Sequence, residues 1–159
     1  MKRATHETSA GFGTKLIAGL AGAVAVNLVH EATRKAAGGD PSPSRVPRLD
    51  RMGQSGLVKT ARAVGLEPPA PGPKRYWTAL AGDIAVNGLL YAITSRRSRP
   101  LRGGAFSGVL AGVAGLVLPR LVGLGRHTGR NSRTKAMTFA DYAIGGLVSG
   151  AVMKMLSRK

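Results

Sequence analysis

Four stretches of this chain are almost free of charge: 16–29 (LIAGLAGAVAVNLV), 76–95 (YWTALAGDIAVNGLLYAITS), 103–119 (GGAFSGVLAGVAGLVLP) and 136–153 (AMTFADYAIGGLVSGAVM). A helix on the surface of a soluble domain carries polar residues along one face at helical period. These stretches are apolar or small on every face, as helices surrounded by lipid or by protein are. Nearly all the Lys and Arg lie between and around them.

A full membrane span takes about 20 apolar residues. The first stretch reaches that length if it starts near Ala10 and Lys15 snorkels to the headgroups. The third reaches it by running through Arg120 to Leu124, with Pro119 kinking or ending it. Basic pairs flank the stretches at Arg34-Lys35, Lys74-Arg75 and Arg96-Arg97, with Lys154 near the end of the fourth. Tyr76-Trp77 opens the second stretch, where interfacial aromatics belong. Met1-Lys2-Arg3 followed by an apolar run resembles a secretory signal. HEATRK then stands where a small-residue cleavage site would be, so an uncleaved first span is expected.

These features predict an all-α fold: a polytopic membrane four-helix bundle in a single membrane domain over 1–159. Its helices are expected at about 10–33, 76–95, 103–124 and 136–157. The alternative is a basic soluble or peripheral helical protein that binds anionic polymers. Net charge supplies the motive for that reading, with 24 Lys+Arg against 7 Asp+Glu. An anionic partner follows from such a balance. Aromatics are 4%, too few for a base-stacking platform, so nucleic acid is not the expected partner. The expected partner is a bilayer with anionic headgroups, with a homo-oligomer or larger membrane complex as a further option. With four spans, ten Lys+Arg fall on the side of the termini and fourteen on the other. That difference leaves orientation open.

Inside a bilayer, helices associate by close packing of small residues. Gly104, Gly108 and Gly112 recur every fourth residue, as do Gly146 and Gly150, and Ala18 and Gly22. A repeat joins the first two stretches. LAGAVAVNLVHEA (20–32) and LAGDIAVNGLLYA (80–92) share seven of thirteen residues, including Gly22/Gly82 and Asn27/Asn87. Successive spans run antiparallel, so the pair is a candidate inverted repeat.

Polar groups inside apolar helices are costly and face inward. Asp83 and Asn87 share one helical face, and so do Asn27 and Glu31, with His30 beside them. With Asp141 these residues form a candidate intramembrane cluster. Two roles fit it: interhelical hydrogen-bonding glue, or a site for a proton, a cation or a small solute in a carrier or channel. No cofactor or metal is expected. His30-Glu31 lacks the second His of HExxH, because residue 34 is Arg. No nucleophile triad, P-loop or dinucleotide fingerprint is present, so no enzyme is expected. There is no cysteine, which excludes disulfides and thiolate metal sites.

The 36–75 stretch opens as a Pro/Gly/Ser linker, AAGGDPSPSRVPR. At 48–66 it becomes a candidate amphipathic helix, with Leu49, Met52, Leu57, Ala61 and Val64 on one face and Arg51, Lys59 and Arg62 placed to contact headgroups.

The sequence NLVHEATRK, then VPRLDRMG, LAGDIAVN, LPRLVGLG and the close TKAMTFADYAIGGLVSG resembles a family of small, uncharacterised bacterial multi-span membrane proteins. That resemblance implies the bacterial cytoplasmic (inner) membrane and assigns no catalytic residues. The leading expectation for function is a structural, accessory or scaffold subunit.

Overall fold

Helices form over all four apolar stretches, and local stop signals decide where they end. The computed structural model describes residues 3–94 and 99–157, with side chains from residue 11 onward. The described residues hold five α-helices and no strand: α1 (Arg3–Ala36), α2 (Leu49–Ala63), α3 (Pro73–Thr94), α4 (Pro100–Leu121) and α5 (Ser132–Leu156). A short 3-10 turn, Gly125–His127, lies between α4 and α5. Of the cations flanking the apolar stretches, Lys2, Arg96, Arg97, Arg158 and Lys159 fall outside the described residues.

The boundaries differ from those expected, for identifiable reasons. Helices propagate until something stops them, so α1 extends back to Arg3 through residues that contain no Pro. Proline is well placed at the first helical position, and α3 and α4 begin on Pro73 and Pro100. The helix does not run to Leu124, because Gly123 stops it. Its φ of +71° places it in the left-handed region that favours glycine. The Gly123 and Leu124 amides then donate back to the Arg120 and Pro119 carbonyls, a Schellman closure. Gly65 ends α2 in the same way, at φ +75°, with Leu66 donating to Ala61. A capping box starts α5 four residues earlier than expected: the Asn131 side chain accepts from the Thr134 amide at 2.9 Å, and the Thr134 hydroxyl accepts from the Asn131 amide.

Three helical segments are long and apolar enough to cross a membrane, Gly11–Ala36, Pro100–Leu121 and Ser132–Leu156. They mark the chain as a membrane protein. Four were expected. The second stretch, in α3, does not reach that level, because Asp83 and Asn87 lower its hydropathy.

The most extensive interhelical contact joins α4 to α5, and α1 packs against both α3 and α5. Backbones meet where side chains are missing. A methyl group at Gly104 or Gly150 would run into the facing helix, and one at Gly146 would overlap Gly104 and Gly108. Gly108 lies against Ala143, and Gly112 against the Phe139 ring. Gly22 faces Gly145 and Ser149 of α5. Gly82, expected to pack in the same way, has nothing within 4 Å of an added Cβ. It points outward, and the glycines at the α1–α3 crossing are Gly19 and Gly88. The glycines of the repeat therefore face different surroundings in the two helices.

Across one end of this arrangement lies α2. Gly53 sits beside Ala79 at the start of α3, and Gly56 beside Leu124 after α4. The stretch before α2, expected to be a linker, is anchored instead: Pro41, Val46, Pro47 and Arg48 are buried. Its backbone is pinned by Arg48 N–H to the His127 carbonyl at 2.7 Å and by Asn131 Nδ2 to the Ser44 carbonyl at 2.9 Å.

Candidate functional site

Asn27 sits on α1 where the helix passes α3. Its Nδ2 donates to Asp83 Oδ2 at 2.9 Å and also to the Ala23 carbonyl at 3.0 Å. Asn87 Nδ2 donates to the other Asp83 oxygen at 2.9 Å. One carboxylate thus takes an amide from each half of the repeat. Asn27 and Asn87 meet through Asp83 rather than directly. At the position in α1 equivalent to Asp83 stands Ala23, whose backbone carbonyl accepts from Asn27 instead.

One turn further along α1, His30 is buried where three helices converge. Its Nε2 lies 3.6 Å from Asp50 Oδ1 of α2, and its Nδ1 3.8 Å from Asp141 Oδ2 of α5. Both separations exceed hydrogen-bond length, and neither ring nitrogen has a hydrogen-bond partner among the described residues. A protonated imidazole here would present one N–H to each carboxylate.

Asp50 is also gripped from its own side. Arg48, with only 5% of its side chain exposed, forks onto both Asp50 oxygens at 3.0 and 2.8 Å. Arg48 also bonds Asp40 and the Pro41 carbonyl, and Arg51 bonds both Asp40 oxygens at 2.9 and 3.0 Å. Burial works against ionisation of Asp50, but the Arg48 hydrogen bonds, and His30 after them, outweigh it and hold the carboxyl well below the usual range. The Asp40 carboxyl is lowered by Arg48 and then by Arg51. The result is a chain of contacts, Asp40–Arg48–Asp50–His30–Asp141, that ties the pre-α2 segment to α1 and α5.

A cavity of about 280 Å³ opens between α1, α2 and α3. Asn27, His30, Asp50 and Asp83 supply its polar lining, and Trp77 and Leu28 belong to its apolar wall. Glu31 also lines it but is engaged locally, with Arg34 at 2.7 Å and Lys35 at 3.6 Å. Among the described residues, no group of three or more His, Asp or Glu is placed to hold a metal.

The structure therefore joins Asn27 and Asn87 through Asp83 and sets His30 against Asp141, while Glu31 pairs within its own helix. Sequence reasoning missed Asp50, Arg48 and Asp40. The signal was present in RLDR (48–51), where an acid in the first turn of α2 sits between two arginines. Tyr91 continues the Asp83–Asn87 face of α3, and its hydroxyl donates to the Tyr142 carbonyl at 2.8 Å in the interior. The proposed headgroup contacts Arg51, Lys59 and Arg62 are all exposed on α2. Lys59 Nζ reaches the Val122 carbonyl at 2.6 Å, where a cation meets the C-terminal end of α4.

The chain matches no protein-family model, no curated protein and no solved structure.

Proposed function

We propose that this chain is an integral protein of the bacterial cytoplasmic membrane, with α1, α3, α4 and α5 all spanning and α2 lying at one membrane surface. Its role is structural: an accessory or scaffold subunit rather than an enzyme. The observation that carries the reading is that the three polar side chains at the α1–α3 crossing bond to one another. Asn27, Asp83 and Asn87 form a closed set, which is what interhelical glue requires. Away from that set, Leu28, Val86, Ile93, Phe106 and Leu147 are exposed on α1, α3, α4 and α5, so α3 also presents apolar side chains on its outer face. Such side chains suit lipid or the helices of a larger complex.

A second reading, a proton, ion or small-solute carrier, is favoured by one feature: the cavity that reaches Asp83 and His30. Two measurements decide. Resistance to alkaline carbonate extraction is expected, and recovery in the soluble fraction would move the chain to the class of peripheral, polyanion-binding proteins. Proteoliposomes holding the protein are expected to show no proton or cation flux above empty vesicles. Flux abolished by Asp83→Asn would replace the scaffold reading with the carrier.

A further inference from the structure

We infer that the groove formed by α2, the start of α3 and the Gly125–His127 turn binds a phospholipid headgroup carrying two phosphates. The inference rests on the membrane reading above and assigns that reading a specific ligand site.

The groove encloses about 650 Å³, within the range of small-ligand sites. Arg51, Lys59, Arg62, Arg75 and Arg126 line it, and no Asp or Glu does. Five cations facing one cleft repel each other unless an anion is present. Three of the five are held in place by neighbours: Arg51 by Asp40, Lys59 by the Val122 carbonyl, and Arg75 by the Pro69 carbonyl at 2.7 Å. Arg62 and Arg126 have no ion-pair partner among the described residues. His127 supplies a second kind of observation. It lines the groove, is 8% exposed, and its Nδ1 is buried without a hydrogen-bond partner among the described residues. An unpaired polar atom of that kind is costly unless something completes it. Burial, and then Arg126 and Arg51, keep this imidazole below its usual pKa. Of the charged groups acting on it, Arg48 works in the same direction, and Asp50 in the opposite one.

Spacing argues for two phosphates rather than one. Arg51 and Arg62 stand eleven residues apart on α2, about 16 Å along the axis. Two phosphates can engage cations at both ends of that spread at once. The surroundings argue for a lipid. Leu121 and Val122 beside the groove, and Val64 and Leu66 after α2, are all more than half exposed, and acyl chains would cover them.

The test uses full-length protein in detergent, titrated with diphosphatidylglycerol, with phosphatidylglycerol at equal phosphate, and with inorganic pyrophosphate, and followed by native mass spectrometry. One diphosphatidylglycerol should bind per chain, at least tenfold more tightly than either comparator. Removing the two cations without an ion-pair partner, by Arg62→Gln with Arg126→Gln, should weaken it roughly thirtyfold, at about 1 kcal/mol per cation; Arg126 Nε also donates to His127 Nε2 at 3.4 Å. A control pair at the opposite end of the helices, Arg102→Gln with Lys154→Gln, should leave it unchanged. Equal losses in both pairs would mean diffuse attraction and would overturn the site, as would equal affinity for phosphatidylglycerol. Pyrophosphate binding as tight as the lipid would overturn the lipid assignment in favour of a soluble anion. Carbonate extraction of the same variants separates the two levels. A retained protein without lipid preference defeats this inference alone, and a stripped wild type defeats the membrane reading itself.

Discussion

At the scale of single residues, the strongest local commitment is the Arg48–Asp50 pair. Both partners are desolvated, and without Asp50 the buried Arg48 keeps only the exposed Asp40 as a carboxylate partner. Asp50→Asn is expected to lower stability by about 2 kcal/mol, the scale of lost hydrogen bonds to a charged group, read as a drop in the thermal midpoint in detergent. The same pair fixes a pH dependence. The folded carboxyl of Asp50 titrates below its ordinary value of 3.8. Its contribution is therefore complete above about pH 4 and is lost as pH falls through the folded pKa. His127 sets a second limb, nearer neutrality. Its folded pKa lies below 6.5, so the folded state favours the neutral ring. That contribution is present above 6.5 and is lost as pH falls through the folded value. The thermal midpoint should decline as pH falls below about 6.5, and His127→Asn should flatten that decline while sparing the steeper acid limb. An unchanged slope in the variant would exclude His127 as its source.

At the scale of elements, the distinction is between glycines that meet a neighbour and glycines that do not. A side chain at Gly146 must displace the α4 backbone at Gly104 and Gly108, whereas one at Gly82 enters open space. Gly146→Leu is expected to cost about 1–3 kcal/mol through overpacking, and Gly82→Leu close to nothing, in the same thermal assay. Equal effects would mean that the two faces have been exchanged. This pair also marks the limit of the sequence. A spacing of four identifies a face of small residues. It does not say what that face meets, because Gly22 and Gly82 are identical in their repeats and differ only in neighbours contributed from elsewhere in the chain. Helix ends were harder to read than helix positions. Hydropathy marks where a helix is apolar, while Pro73, Pro100, Gly123 and the Asn131–Thr134 box decide where it starts and stops. The Asn27–Asp83–Asn87 contact was legible because all three residues interrupt apolar runs. Asp50 was not, because a carboxylate among arginines near a Pro-rich stretch looks like solvated surface. Only the folding of residues 40–48 under the end of α1 buries it.

For the whole molecule, the charge has a layout that composition alone conceals. Helix α2, the start of α3 and the 3-10 turn gather Arg and Lys around one groove, while three of the seven acidic residues, Glu31, Asp50 and Asp83, line the neighbouring cavity. The account holds together only if α3 crosses the bilayer. Its crossing puts α2 and the 3-10 turn on one surface and the start of α4 on the other. The cysteine-free chain makes this directly measurable. Single cysteines are introduced by Ser42→Cys, Arg130→Cys and Arg99→Cys, and labelled with a membrane-impermeant maleimide in intact cells and again after permeabilisation. Four spans predict that residues 42 and 130 label together from one side, and residue 99 only from the other. Labelling of 42 and 99 from the same side would show that α3 does not cross and would contradict the account.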